Sequence, residues 1–349
     1  MLKVLAVRRW RRKESLEVKE RGRRRSRFSP PSGNGRRWVG VNLHDINYKG
    51  EIMGIPESQL ERWSHQGAVT TSKETYGTIK GALEDTAAKY HHKDFEIYLQ
   101  GSYGNDTNIY EESDVDIVVQ LNSTFHSNKE SLPSDQFELH ERDFGPASYH
   151  IGEFRKDVID ILSEHFGFSY IEDGKRSVKV HSFGNRREAD VVVCTQYRKY
   201  DYYLGKSCCS FVEGMRIYNQ GEEVINYPKL HTESLTLKQK GTHSRYKPLV
   251  RILKNIKTKL VELQAIEEKT APSYFLEGWL YNAPNELYVN SIGDRFFGVV
   301  DWLLKADEKG FIMPHGMYSL LGNASTQWDS LKYKTFSGAL VGLWNNWGK

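Results

Sequence analysis

The chain of 349 residues lacks the features that define several classes of protein. Its only cysteines, Cys194, Cys208 and Cys209, form neither a disulfide framework nor a zinc-binding pattern. Its twelve histidines are scattered without metal-ligand spacing. No apolar run approaches the ~18 residues of a membrane span, and no secretory h-region lies near Met1. These absences exclude a disulfide-stapled secreted domain, a zinc-binding module and a membrane-spanning protein, and they predict a soluble, cytoplasmic one.

What the chain does have is a sizeable apolar fraction and an uneven charge. Hydrophobic residues make up 38% of the sequence, enough for one large domain or two closely joined ones. Residues 1–52 contain eleven Arg and four Lys against five acidic residues, a net charge of +10. The overall charge of +4 therefore leaves −6 on residues 53–349. The basic isoelectric point consequently does not indicate a nucleic-acid partner for the rest of the chain.

The basic leader, residues 1–52, shows no apolar periodicity and is predicted to lie outside the fold. It contains the arginine-rich runs 8–12 and 23–25, followed by the turn-forming segment 30–35. Three interpretations compete: an arm for nucleic acid or a membrane surface, a transit peptide, or residues translated upstream of a true start at Met53. The acidic residues Glu14, Glu17 and Glu20 disfavour a transit peptide. The helix start at Met53–Pro56 favours the third interpretation.

The most informative stretch joins a Gly-Ser turn to a pair of aspartates. Residues 95–100 predict a strand that ends at Gly101-Ser102, and eleven residues separate Ser102 from Asp114. Asp114 and Asp116 alternate with apolar residues of a second predicted strand, so a period of two places both carboxylates on one face.

The residue types in this stretch favour phosphoryl transfer. Neighbouring carboxylates repel each other unless a cation lies between them, and Mg²⁺ prefers such oxygen ligands. Gly101 allows the backbone to approach a ligand closely, and Ser102 adds a hydroxyl that can bind phosphate. An isolated Asp-x-Asp is usually only a solvated strand end. The Gly-Ser turn at this spacing makes the pattern much more specific.

This arrangement resembles the polymerase-beta-like nucleotidyltransferase superfamily, in which a third carboxylate on a neighbouring strand completes a two-metal site. Asp190, at the head of the apolar run 189–194, is a suitable third carboxylate.

The remaining periodicity predicts early strands and late helices, which is an α+β plan. A helical lead-in, residues 56–63 and 72–90, is expected to pack behind the sheet. Residues 122–144 read as a polar insertion, followed by a helix from about residue 148. Further strands are predicted at 175–180 and 189–195, a hairpin at 211–218 and 223–226, and helices at 246–263, 272–281, 292–307 and 327–347.

Several further motifs resemble the bacterial cGAS/DncV-like nucleotidyltransferases of anti-phage signalling systems, over about residues 55–348. The nearest branch makes cyclic dinucleotides that contain uridine. The motifs are Leu60–Trp63, Gln100–Tyr103 with Thr107-Asn108, Ser113–Asp116, Ala189–Val192, Asn226–His231, Tyr246–Asn255 and Pro272–Tyr274.

The resemblance implies a mixed-sheet nucleotidyltransferase core at residues 53–230, a helical C-terminal lobe at 231–349, and an active site in the cleft between them. Asp114, Asp116 and Asp190 would hold two Mg²⁺ ions, which Mn²⁺ could replace. Gly101 and Ser102 would cradle a triphosphate.

For three residues the resemblance also implies a role in nucleotide binding. Lys254 and Ser273 would reach the β- and γ-phosphates, whereas by its helical position alone Lys254 is better explained as a solvated lysine. Asn226 would help choose the base, and its amide suits a pyrimidine edge. The alternative is that Asn226 only serves the turn.

The implied function is a monomeric synthase that joins two nucleoside triphosphates, with UTP and ATP the expected pair. It would expel pyrophosphate and close a cyclic dinucleotide for a downstream effector. Asp190 would assist deprotonation of the attacking ribose hydroxyl. One alternative is a linear oligonucleotide or tRNA-end-adding enzyme, and the net charge of −6 on residues 53–349 disfavours a tRNA substrate. Another is an inactive nucleotide-binding or antitoxin-like module, which would normally lack one of the three acidic residues.

Overall fold

A computed structural model describes residues 54–67, 69–110, 114–217 and 223–348. The basic leader and the candidate start at Met53 lie outside these residues, as does the connection between the two strands of the predicted hairpin. Across the described residues, no helix is long and apolar enough to cross a membrane.

One mixed sheet forms the N-terminal half of the described chain. The strand order is β1-β2-β5-β4-β3, and β6 pairs with both β5 and β7. Strands β2 and β5 are parallel, whereas every other pair is antiparallel. The strands are β1 Phe95–Leu99, β2 Val115–Asn128, β3 Ile171–Asp173, β4 Val178–Val180, β5 Ala189–Tyr203, β6 Cys209–Ile217 and β7 Val224–Asn226.

Strand β2 is buried on both faces, as its apolar sequence predicts. Val115, Ile117 and Val119 pack into the larger core, together with Phe154 from a helix behind the sheet. Val118 faces the opposite side, in a second cluster with Val192, Cys194 and Met215. A strand held between two cores has one register that buries its apolar residues, so the carboxylates at its start are fixed in position.

The helices of the described residues lie before, behind and after the sheet. Their bounds are α1 Glu57–Ser64, α2 Thr70–Leu83, α3 Gly101–Gly104, α4 Ser134–Asp143, α5 Ile151–Phe166, α6 Pro228–Gly241, α7 Tyr246–Glu262, α8 Ser273–Tyr281, α9 Ile292–Lys305 and α10 Ser330–Asn345, with short 3-10 turns at Phe168–Tyr170, Glu268–Thr270, Asn285–Leu287 and Glu308–Gly310. The last five α-helices form the predicted helical lobe, and the α+β plan is confirmed.

The prediction of a polar insertion at 122–144 is wrong. Strand β2 continues to Asn128, and α4 follows it. An irregularity between Leu121 and Phe125 shifts the pairing with β5, after which the ladder resumes at Phe125 and Gln196. The shift breaks the period-two pattern on which the sequence prediction depended. Strand β5 also runs well beyond its predicted end, to Tyr203, with an irregularity of its own between Tyr200 and Tyr202.

The helical lead-in differs from its prediction in two ways. Helix α2 ends at Leu83 rather than near Tyr90, because the buried Tyr90 folds back and its hydroxyl donates to the Leu83 carbonyl at 2.9 Å. Helix α2 packs on β2 and α5, as expected, but α1 packs on α7 and α9. Helix α1 therefore braces the helical lobe instead of the sheet.

Candidate active site

The three predicted carboxylates lie at the start of two parallel strands. Asp116 on β2 is directly beside Asp190 on β5 in the strand register, and Asp114 precedes β2 by one residue. Asp114 is exposed, whereas Asp116 and Asp190 are half-buried. The parallel pairing was not predicted, but it brings together residues that are more than 70 positions apart in the chain.

Gly101 supports this carboxylate pair through its lack of a side chain. Its φ of +63° lies in the left-handed region, and a Cβ built on it would stand 2.1 Å from Asp116 Oδ2. The backbone N–H of Gln100 also donates to the Asp116 carbonyl at 3.0 Å, which fixes the end of β1 against β2. The Gly-Ser turn is therefore pressed directly against the second aspartate, where only glycine fits.

Asp190 has a partner that the sequence did not reveal. The Ser177 hydroxyl donates to Asp190 Oδ1 at 2.9 Å from the loop before β4. This bond fixes the orientation of the carboxylate and leaves its other oxygen for a ligand. The loop carries no motif, and only the pairing of β4 with β5 brings Ser177 close.

A cavity of about 590 Å³ opens above these carboxylates, with walls from both lobes. Seven of the eight predicted site residues line it: Gly101, Ser102, Asp114, Asp116, Asp190, Asn226 and Ser273. The other lining residues are Gln100, Asn105, Pro228, His231, Thr232, Pro272, Tyr274 and Glu277. The site lies in the predicted cleft, between the sheet and the helical lobe.

Lys254 is buried and contacts the loop that follows the Gly-Ser turn. Its side chain is 1% exposed, so the solvated alternative is wrong. Its ammonium donates to the Thr107 carbonyl at 2.9 Å, and among the described residues it is not part of the cavity wall. Contact with the β- and γ-phosphates stays a prediction.

Glu277 is an unpredicted acid at the base of the cavity, and it joins the two lobes. Its carboxylate, on α8, accepts hydrogen bonds from Thr107 Oγ1 at 2.5 Å, Asn105 Nδ2 at 3.2 Å and His231 Nε2 at 2.8 Å. Burial alone would raise the pKa of Glu277. This effect is outweighed by the hydrogen bond and charge of His231, the charge of Lys254 and the hydrogen bond from Thr107. The pKa of Glu277 is therefore lowered. Glu277 is therefore ionised, with three donors on its carboxylate.

The same network anchors the loop that follows the Gly-Ser turn. Asp106 pairs with the Lys247 ammonium at 2.8 Å, and its carbonyl accepts from Arg251 Nη1 at 2.7 Å. Both cations lie on α7 of the helical lobe. The position of Gly101 and Ser102 against the carboxylates thus depends on contacts made by the other lobe. Lys247, like Lys254 on the same helix, is buried.

Asn226 ends β7 at the edge of the cavity. Its Oδ1 accepts from the Tyr227 backbone N–H at 2.8 Å and from the Tyr274 hydroxyl at 3.1 Å. The side chain therefore both holds the turn that leads into α6 and lines the cleft, and its role in base choice stays a prediction.

A mixed sheet with paired aspartates beside a Gly-Ser turn, facing a helical lobe, defines a polymerase-beta-like nucleotidyltransferase. Two family models match: a nucleotidyltransferase domain over residues 79–202, and the cGAS/DncV-like nucleotidyltransferase C-terminal helical domain over residues 233–345. The chain is 42% identical to the cyclic UMP-AMP synthase of Rhodothermus marinus, over 85% of this chain and all of the relative. The chain belongs to the cGAS/DncV-like nucleotidyltransferases.

Other relatives agree with this assignment. The cyclic dipyrimidine nucleotide synthase of Legionella pneumophila is 31% identical over 69% of this chain and 80% of its own. The solved structure of the Rhodothermus marinus c-UMP-AMP synthase with Apcpp and Upnpp superposes with a TM-score of 0.76 at 41% identity, covering 84% of this chain and 98% of that one. The chain is a nucleotidyltransferase of a family of cyclic nucleotide synthases that acts in anti-phage signalling and typically uses divalent metal ions.

Proposed function

We propose that this protein makes a uridine-containing cyclic dinucleotide from UTP and ATP, with Mg²⁺ and release of pyrophosphate, as a second messenger for an anti-phage effector. The observation that carries the proposal is the grouping of Asp114, Asp116, Asp190 and the Gly101-Ser102 turn around one cavity. The full-length match to the cyclic UMP-AMP synthase of Rhodothermus marinus supports the choice of bases.

The donor set fits Mg²⁺, because Asp114, Asp116 and Asp190 present only oxygen atoms to the cavity. Across the described ranges, no three His, Cys, Asp or Glu side chains converge closely enough to hold an ion by themselves. Carboxylates that share a cavity repel one another, and a cation between them relieves that repulsion. Two bound Mg²⁺ or Mn²⁺ ions would activate the ribose hydroxyl and stabilise the leaving pyrophosphate.

The residues of this chain would orient the reactants. Ser177 holds Asp190, which would accept the proton of the attacking ribose hydroxyl. Gly101 and Ser102 would contact the triphosphate beside Asp116, and Ser273, at the start of α8, would contact it from the opposite wall. Lys254 would supply a phosphate contact after leaving the Thr107 carbonyl. The linear intermediate must then turn over in the same cavity for the second bond to form.

The test is to incubate the purified protein with each pair of nucleoside triphosphates and Mg²⁺ and to identify the products by mass spectrometry. The expected product is a cyclic dinucleotide of uridine and adenosine, with two pyrophosphates released for each ring. A linear product alone would contradict cyclisation, and a purine-only ring would contradict the proposed bases.

A further inference from the structure

A chain of hydrogen bonds links the helical lobe to the amide of Asn226. The backbone N–H of Met317 lies 3.0 Å from His315 Nδ1, and His315 Nε2 lies 3.1 Å from the Tyr274 hydroxyl oxygen. That hydroxyl lies 3.1 Å from Asn226 Oδ1. His315 is buried, and Tyr274 and Asn226 line the cavity. The chain therefore begins in the interior of the protein and ends at the substrate site.

The direction of every bond in this chain is determined. A backbone N–H can only donate, so His315 Nδ1 accepts from Met317 and carries no proton. The single proton of the neutral ring is then on Nε2, which donates to the Tyr274 oxygen. Burial, with a smaller effect from His231, lowers the pKa of His315 to about 3, so the ring is neutral at physiological pH. The Tyr274 hydroxyl consequently directs its own proton to Asn226 Oδ1.

A second donor fixes the same end of the amide. The Tyr227 backbone N–H donates to Asn226 Oδ1 at 2.8 Å, so two donors converge on the oxygen. The reverse orientation would place the amide N–H groups against both a backbone N–H and a hydroxyl that already donates. The oxygen is therefore held towards the protein, and the Nδ2 amino group remains for a ligand.

We propose that Tyr274, held by His315, sets base choice by orienting Asn226 so that it offers two hydrogen-bond donors and no acceptor. Such a group recognises a carbonyl oxygen on the base, which uracil has at the position where cytosine carries an amino group. Tyr274 and His315 act through Asn226 and are positioning residues. The inference rests on the proposed function, because it takes Asn226 to contact the base.

The test compares UTP with CTP, since the two bases have the same shape and differ only in this donor and acceptor pattern. Two quantities are measured: the ratio of the dissociation constants of UTP and CTP by calorimetry, and the uridine-to-cytidine ratio of products made in competition with ATP present. Tyr274→Phe keeps the ring and removes the hydroxyl. It should reduce the preference for uridine about fivefold in both measurements, the effect of one neutral hydrogen bond.

Tyr318→Phe is the matched control. Its hydroxyl donates to the Ile225 carbonyl at 3.3 Å, on the same strand β7, and bonds to the Tyr227 hydroxyl. This variant should keep the wild-type preference. His315→Gln, whose amide can donate to Tyr274, should also keep it, whereas His315→Leu should reduce it. Unchanged melting temperatures would show that folding is preserved.

Asn226→Asp tests the direction of the recognition. An aspartate accepts from Tyr227 and Tyr274 as the amide does, but it turns an acceptor to the base, so preference should move towards cytosine. A wild-type preference in Tyr274→Phe, or a continued uracil preference in Asn226→Asp, would overturn the inference. If wild-type protein makes no cyclic product, the proposed function fails, while the binding ratios still decide the role of Tyr274.

Discussion

At the residue scale, Gly101 is where sequence reasoning and the structure agree most closely. The Gly-Ser turn was predicted to allow close approach of the backbone, and the structure adds that the close neighbour is Asp116. We expect Gly101→Ala to abolish turnover, because the new methyl group would displace the Asp116 carboxylate. It should also lower the free energy of unfolding by about 1–2 kcal/mol through the left-handed φ. Nucleotide turnover and urea unfolding measure the two effects.

The control for this change is Gly81→Ala in α2, where a Cβ meets nothing within 4 Å. That substitution should leave turnover intact and stabilise the helix by up to about 1 kcal/mol. Retention of both activity and stability in Gly101→Ala would refute the close contact with Asp116.

Asp114 and Asp116 are expected to be required for activity but not for the stability of the fold. Asp114→Asn with Asp116→Asn should reduce product formation below detection, because two metal ligands are lost. The melting temperature should hold or rise, since the repulsion between the two charges is removed. Asp201→Asn, which changes an exposed carboxylate bonded to Ser210, is the control and should behave as wild type. An active, folded double variant would refute the mechanism.

Other residues of the site could not be predicted, because their roles exist only in three dimensions. Glu277 is bonded to Thr107 and Asn105, which lie about 170 positions earlier in the chain. Its one sequence signal is an acid within the otherwise apolar run of α8. Ser177 gives no signal at all, because a serine in a polar loop has many ordinary explanations.

At the element scale, periodicity predicted the elements whose pattern is regular and failed where it is interrupted. Helix α7 forms where the periodicity predicts it, and its apolar stripe, which includes Leu249, Ile252 and Ile256, is buried. The end of β2 was missed because a bulge shifts the alternation by more than one residue. Burial of Lys254 was missed because its partners belong to another lobe.

Helix α8 supports the site through Glu277, and its network can be tested directly. Glu277→Gln should lower the free energy of unfolding by about 2–4 kcal/mol. The amide NH₂ group of glutamine would face the donors that now bond to a carboxylate oxygen of Glu277. The substitution also removes a negative charge near the buried Lys254. The measurement is urea unfolding at neutral pH. Turnover should fall with it, since Asn105 and His231 also line the cavity.

Glu268→Gln is the matched control for Glu277→Gln. Glu268 pairs with Lys257 in the same lobe, but its side chain is 69% exposed. An exposed ion pair contributes about 0–1 kcal/mol, so this variant should be nearly as stable as wild type. Equal effects of the two substitutions would show that the buried network has no special role in joining the lobes.

At the scale of the whole molecule, the two lobes depend on each other. The sheet supplies the carboxylates and the Gly-Ser turn, while the helical lobe supplies Ser273, Tyr274 and the contacts that fix the loop after α3. The resemblance predicted this division of the cleft, but not the hydrogen bonds that cross it. Those bonds join segments about 140–170 residues apart, a separation at which sequence periodicity carries no information.

Stability of the whole protein should fall on mild acidification, because buried histidines are held neutral. Burial lowers the pKa of His315 to about 3. Burial is also the largest cause of the lowered pKa values of His126 and His140. The unfolded chain binds a proton near the ordinary value of 6.5, and the folded His315 does not. Its contribution is therefore fully present above pH 6.5 and is lost as the pH falls, by about 1.4 kcal/mol per pH unit.

The measurement is the free energy of unfolding in urea at pH 7.5, 6 and 5, for wild type and for His315→Gln. The variant keeps a donor for Tyr274 but cannot titrate, so its stability should fall less steeply. Its stability relative to wild type should therefore rise by ~2 kcal/mol between pH 6.5 and 5. Carboxylates with lowered pKa values, such as that of Glu277, act below this window because protonation of the unfolded chain there begins near 4.5. Parallel curves would show that His315 is protonated in the folded protein, and the direction assigned to its bond with Tyr274 would then be wrong.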